Sequence, residues 1–273
     1  MDAPNVLEEG KKMEKYSYEE AVDNAKTHQV VSQYTDLCAL KKIIGNKTLR
    51  LTRVDELNDL LENKNILDLW KGKVYVSCFT YRAHESLFFW NTYSKCKPCG
   101  VMISFQSKYL QDLEIYPDEK CQKAHLEECK QRIPEATFNE NVSAEHWGIF
   151  DYSCVDVMYI PRDEIPQENE YFQGRIKYKE WDMECETRIR VTIRPKCKEV
   201  KSFCDVDHYY RPSDEYLYAK LPIECLEKMT ITLSPFANDI LQKEVENLLK
   251  DNNLFDKVKV IKSTLTEELK QNL

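Results

Sequence analysis

Glycine is scarce, with six in 273 residues. A loop that cradles phosphate on its backbone needs glycines grouped together, and no G-x-G-x-x-G or G-x-x-x-x-G-K pattern occurs. That argues against Rossmann and P-loop nucleotide sites. Histidine is scarce too, at five. None has a His-x-x-x-His partner, and no serine sits on a nucleophile elbow, which argues against ordinary zinc and serine hydrolases. There is no apolar run of the ~18 residues that span a bilayer. No stretch is rich enough in Gly, Pro or Ser to be a linker, and no repeat recurs at solenoid periods. The opening "MDAPNVLEEGKKMEK" is polar and acidic, so no signal peptide is expected and the expected setting is cytoplasmic, with no membrane partner. The net charge of −8, from 39 bases and 47 acids, argues against a duplex-DNA binder with a basic stripe. The nearest basic cluster, "RPKCKEVK" (194–201), reads as a solvated loop.

What is present is the composition of a soluble globular protein, 42% hydrophobic and 32% charged. Eleven cysteines without a secretory leader suggest thiols, not a disulfide framework. Cys38, Cys78, Cys154 and Cys185 read as small buried hydrophobes in apolar alternations. Cys96, Cys99, Cys121 and His125 come near zinc-ligand spacing. Their surroundings read as a turn feeding a strand and as an amphipathic helix, so no metal is expected.

Periodicity places the elements. Residues 1–28 read as a charged helical lead-in, and 29–273 as a single domain. Strands are expected at 30–35, 47–52, 73–80, 100–105, 150–160 and across 177–191. Helices are expected after Thr35 or Asp36 with Gly45-Asn46 as the stop, over 54–70, and over 84–94 with Leu87 and Trp90 inward and Phe88 and Phe89 as further inward candidates. Residues 107–148 read as mostly helix and loop. The chain ends in a β-α-β unit: strand 228–233, a helix capped by Ser234 with Pro235 first, running to about Asn252, and strand 257–265. The fold class is therefore α+β, a mixed central sheet with packed helices.

Four charges form the most unusual pattern. Glu184, Glu186, Arg188 and Arg190 alternate with apolar residues in "KYKEWDMECETRIRV" (177–191), so they share one strand face. Two readings stand: a self-neutralised solvated face, or a wall lining a cleft. Asn58, Asp59 and Glu62 share a helix face just after a strand, as a binding site or as a capped, solvated helix start. Ser77 puts a hydroxyl in an apolar strand and needs a partner. Trp90 and Tyr93 make an aromatic ridge, of the kind that usually packs in a core.

The blocks "SQYT", "LRLTRVDELNDLLE", "VYVSCFT", "WNTYSKCKPCGVMISF", "EWDMECETRIR" and "ITLSPFANDI" occur in this order over about residues 30–265. Together they resemble an uncharacterised, mostly prokaryotic domain family, some members of which are associated with abortive-infection phage defence. Leu60 stands where that family often has Pro, and Ser234 where it often has Gly. The order Tyr34-Thr35, Ser77, then Glu184-x-Glu186 also resembles the ADP-ribosyltransferase superfamily. Here Ser32 and Gln33 stand where many such enzymes carry a basic residue. These resemblances imply a phage-defence or toxin-type effector that takes NAD as substrate. Glu186 would be catalytic, with Glu184 either supporting it from behind or orienting the acceptor, and Arg188 its partner. Tyr34, Thr35, Arg50, Asn58, Asp59, Glu62, Ser77, Trp90, Tyr93 and Arg188 would lie around a small nucleotide ligand. The acceptor would be a protein or a nucleic acid. Independently of resemblance, a fixed carboxylate suits cleavage of a nicotinamide glycoside, which develops oxocarbenium charge. The runner-up is a non-enzymatic sensing or interaction module using the same cleft. A third class is a metal-dependent nuclease on Asp59, Glu62 and Glu184.

Overall fold

The computed structural model describes residues 18–57, 72–94, 97–117, 147–164, 173–195 and 216–266. Helix α1 (Tyr18–Thr27) buries Ala21 and Ala25, four apart on one stripe. His28, just after it, ties the helix to the sheet. Its Nε2 lies 2.9 Å from an Asp156 oxygen, and its ring stacks on Tyr81 with centroids 4.0 Å apart.

Strand β1 (Val30–Asp36) leads straight into α2 (Leu37–Asn46), because the Asp36 carboxylate accepts from the Ala39 amide at 2.9 Å and caps the helix. The helix ends at Asn46, at the expected Gly45-Asn46 stop. Lys47 takes the left-handed turn, at φ 57°, and its amide closes onto the Ile43 carbonyl. Then follow β2 (Thr48–Arg53), a short 3-10 turn at Val54–Glu56, and β3 (Val74–Thr80). Helix α3 (Leu87–Tyr93) follows expectation at Trp90 and Phe89 and departs from it at Leu87 and Phe88. Phe89 and Trp90 are buried, whereas Leu87 and Phe88 are exposed at 38% and 41%. The next strands are β4 (Gly100–Gln106), β5 (Ile115–Pro117), β6 (Trp147–Asp156) and β7 (Met158–Ile160). The single strand expected over 150–160 is thus split at Val157, whose amide bonds to the Glu186 carbonyl.

The charged stretch is also broken. Strand β8 (Ile176–Tyr178) gives way to a 3-10 turn at Lys179–Glu184, and Cys185 turns left-handed at φ 44°. Strand β9 (Glu186–Pro195) begins only then. Next come β10 (Tyr216–Lys220), α4 (Ile223–Glu227), β11 (Thr230–Leu233), α5 (Asp239–Asp251) and β12 (Lys259–Lys262). The terminal β-α-β unit forms, with β11 and β12 parallel. Its helix starts later than Ser234, however. Asn238 is the cap, accepting from Leu241 at 3.1 Å, while Ser234 accepts from the Phe236 amide in a tight turn ahead of it. Both serine and asparagine offer cap oxygens, and the turn at Ser234-Pro235 uses up the first.

The class is α+β, as expected. The main sheet runs β12-β11-β4-β1-β3-β2-β10-β5, and a branch of β9 and β6 grows from β3. β7 and β8 form a separate parallel pair. β3 is the branch point. One edge pairs with β9 along its whole length, from Val74↔Thr192 to Thr80↔Glu186. Its other edge meets β1 only at Ser32↔Thr80, and β2 at Thr52↔Val76 and Arg53↔Tyr75. β1 and β2 therefore part company alongside the middle of β3. The apolar core includes Tyr75 and Phe79 of β3, Ile103 and Phe105 of β4 and Ile189, Val191 and Ile193 of β9, with Leu40 and Ile44 of α2 and Leu241, Val245 and Leu249 of α5 in the same cluster. Each such side chain contributes about 1.5–3 kcal/mol by leaving water.

Candidate functional site

The β3-β9 register decides which residues meet. Thr80, Cys78 and Val76 lie beside Glu186, Arg188 and Arg190. Alternation puts these six on one face and Ser77, Phe79 and Ile189 on the other. The charged face is not solvated. Glu184, Glu186, Arg188 and Arg190 are exposed by only 3%, 4%, 1% and 4%. Residues 173–184 cover it. The Gly174 carbonyl accepts from Arg188 at 3.0 Å, and that of Gln173 accepts from Arg190 Nε at 2.7 Å. Gly174 has φ +68°, and a Cβ there would come within 3.0–3.3 Å of Val54, Val74 and Val76. Only glycine lets this segment lie so close.

Buried charges persist only when paired, and these are. Arg188 grips Glu186 through Nε at 2.7 Å and Nη2 at 3.2 Å. Lys177 on β8 stands between the carboxylates, 2.6 Å from Glu184 and 2.8 Å from Glu186. Tyr93 donates its hydroxyl to the other Glu184 oxygen. Arg190 and Arg175 share Asp151, at 2.6 and 3.1 Å. Burial pushes the Glu186 carboxyl up. Arg188 and then Lys177 more than offset this and bring it down to about 2, so it is ionised at neutral pH. Burial, then the bond to Glu184, pushes the Tyr93 phenol up. The Cys78 thiol beside Glu186 is likewise pushed up by desolvation and stays protonated.

A cavity of about 210 Å³ opens against this cluster. One wall is charged: Lys177, Glu184, Glu186 and Arg188. Tyr34, Phe89 and Tyr93 give the lining an aromatic part. Ser32, Gln33, Leu57, Cys78, Phe79 and Thr80 complete it. It sits where β1 leaves β3, and Gln33 bridges the widening gap by donating to the Cys78 carbonyl at 3.1 Å. Tyr34 packs edge-on to Phe89 and Trp90, with centroids 5.2 and 4.8 Å away, and accepts from the Ser86 amide. Burial lifts its phenol to about 12, so it stays neutral.

Of the sequence candidates, Tyr34, Tyr93, Glu184, Glu186 and Arg188 therefore meet at one cavity. Trp90 lies behind its wall, with its indole bonded to Glu85 at 3.1 Å. Three others fall elsewhere. Thr35 contributes a backbone carbonyl to Ser94 and does not line the cavity. Arg50 is exposed on β2, over the Tyr216 ring at 4.4 Å. Ser77 faces the core, its buried hydroxyl lacking a partner among the described residues. Asn58, Asp59 and Glu62 lie outside the described residues, as do Cys96, Cys121 and His125. Cys99 is disulfide-bonded, an exception to the thiols expected for most of the cysteines. Cys38, Cys78, Cys154, Cys185 and Cys225 are free, but only Cys225 is fully buried and Cys38 is exposed. Lys177 and Thr80 carry no signal in the sequence that marks them for this site. Lys177 opens the charged stretch and reads there as one more surface base.

No family model, no curated protein and no solved structure matches the chain. Among the described residues no helix is long and apolar enough to cross a membrane.

Proposed function

We propose that the cavity binds a nicotinamide nucleotide and that the chain is a defence or toxin-type effector with an ADP-ribosyltransferase-like site. The observation that carries this reading is Glu186: an ionised carboxylate, held by Arg188 and Lys177 at 2.7–2.8 Å, on the wall of an aromatic cavity. When the bond from ribose C1′ to nicotinamide breaks, its electron pair leaves with the ring. Positive charge develops on the sugar, and a fixed carboxylate lowers that barrier without reorganising. The acceptor or water then bonds to C1′ and gives up a proton. At about 210 Å³ the cavity suits a ring with its sugar. Whole drug-sized ligands take roughly 300–1,000 Å³, so the rest of a dinucleotide would lie outside.

A second reading, a sensing module that binds through the same cleft without chemistry, draws on a different observation. Glu184, Glu186, Lys177 and Arg188 already neutralise one another, which suits a static recognition surface. One experiment separates the two. The protein is melted with and without NAD+, then incubated with labelled NAD+ and cell extract. The control is Glu186→Gln, its fold checked by circular dichroism. NAD+ that raises the melting temperature and is consumed by wild type alone supports the enzyme. Stabilisation without consumption supports the sensor. No stabilisation and no consumption refutes both as nucleotide readings.

A further inference from the structure

We propose that Lys177 is the positioning residue of this site: its single amine keeps Glu184 and Glu186 ionised side by side, and without it the two carboxyls share one proton. The carboxylates come from different elements, the 3-10 turn at Lys179–Glu184 and strand β9, separated by the left-handed Cys185. Hydrogen bonds at Glu184, Cys185 and Glu186 pin the main chain between them. What joins the two carboxyl groups themselves is Lys177 Nζ, lying 2.6 Å from one and 2.8 Å from the other. Two buried anions so close repel, and one of such a pair ordinarily takes up a proton.

The remaining neighbours do not replace the lysine. Arg188 serves Glu186, and its side chain is locked by the Gly174 carbonyl. Among the described residues the cation on Glu184 is Lys177. Glu184's other partner, Tyr93 of α3, is a neutral donor. Facing the pair from β3 are Cys78 and Thr80, both uncharged. From β7, the Tyr159 hydroxyl accepts the Glu186 amide at 2.8 Å. From the 3-10 turn, the Trp181 ring lies 5.7 Å from Lys177 Nζ. The amine arrives on β8, which belongs to the small parallel sheet and not to the main one. A separate structural unit thus sets the charge state of the cavity wall.

The inference rests on the proposed nucleotide reading only where ligand binding is used as a readout. The primary measurement needs no ligand. Protein labelled with ¹³C at the glutamate carboxyl is titrated by NMR, with Glu184→Gln and Glu186→Gln assigning the two signals. In wild type Glu186 should not titrate between about pH 5 and pH 8. In Lys177→Met one should titrate ~1–3 pH units higher than in wild type, and Lys177→Arg should restore the low value. Unchanged titration in Lys177→Met overturns the proposal. Should Lys177→Met not fold, Lys177→Met with Glu184→Gln, which removes one charge of each sign, should fold; its failure to do so overturns the proposal. Melting with NAD+ forms the second arm. NAD+ without effect on wild type, alongside a moved titration, sinks the nucleotide reading and leaves the role of Lys177 standing.

Discussion

Replacing Glu186 by Gln keeps the side chain's shape and removes its charge, and the structure assigns a cost to that loss. Arg188, whose side chain is wholly buried, would lose the Glu186 anion, and of the carboxylate pair Lys177 would keep Glu184. Removing one partner of a buried ion pair typically costs 3–5 kcal/mol. The carboxyl gives a similar figure. Its fall from 4.5 to about 2 on folding corresponds to roughly 3 kcal/mol of stability at neutral pH. A solvated strand face would predict only about 0–1 kcal/mol. The sign follows from a depressed carboxyl: the stabilisation is complete above about pH 4.5 and is lost as the pH falls toward 2. Urea unfolding of wild type and Glu186→Gln, followed by fluorescence, should therefore show a gap of about 3 kcal/mol at pH 7 that narrows on acidification. In melting temperature that is roughly 6–12 °C. A gap under about 1 kcal/mol at pH 7, or one that does not change with pH, would refute the buried-quartet account.

Tyr93→Phe deletes the hydroxyl that donates to Glu184; a hydrogen bond to a charged group is worth about 1.5–3 kcal/mol, and urea unfolding that shows no loss would contradict its place in the site. Asn238→Ala should cost about 1 kcal/mol and speed amide exchange at Leu241. Ser234→Ala should leave that amide protected, since its hydroxyl serves Phe236 instead; equal exchange in both variants would restore Ser234 as the cap.

Some of this molecule was determined by local chemistry, and sequence carries local chemistry well. Asp36 three residues before Ala39, with apolar positions at Leu37, Leu40, Ile43 and Ile44, makes a capped amphipathic helix wherever it packs. The period-two runs in β3, β4 and β9 make strands, and the terminal β-α-β unit follows from its own spacing. The same alternation placed Glu186, Arg188 and Arg190 on one face. What alternation cannot say is whether a face is covered. That was decided by residues 173–184 folding back over β9, which needs Gly174 to fit against Val54, Val74 and Val76. Nor can it say which face of an apolar strand meets the site. In β3 the two sets, Val74, Val76 and Cys78 against Tyr75, Ser77 and Phe79, are both apolar enough to be core, so Ser77 was assigned to the cavity and lies in the core instead. Lys177 is the clearest case. In sequence it is one base among several, and only the packing of β8 beside β9 brings its amine between two carboxylates, because pairing buried charges is a long-range requirement with no local signature.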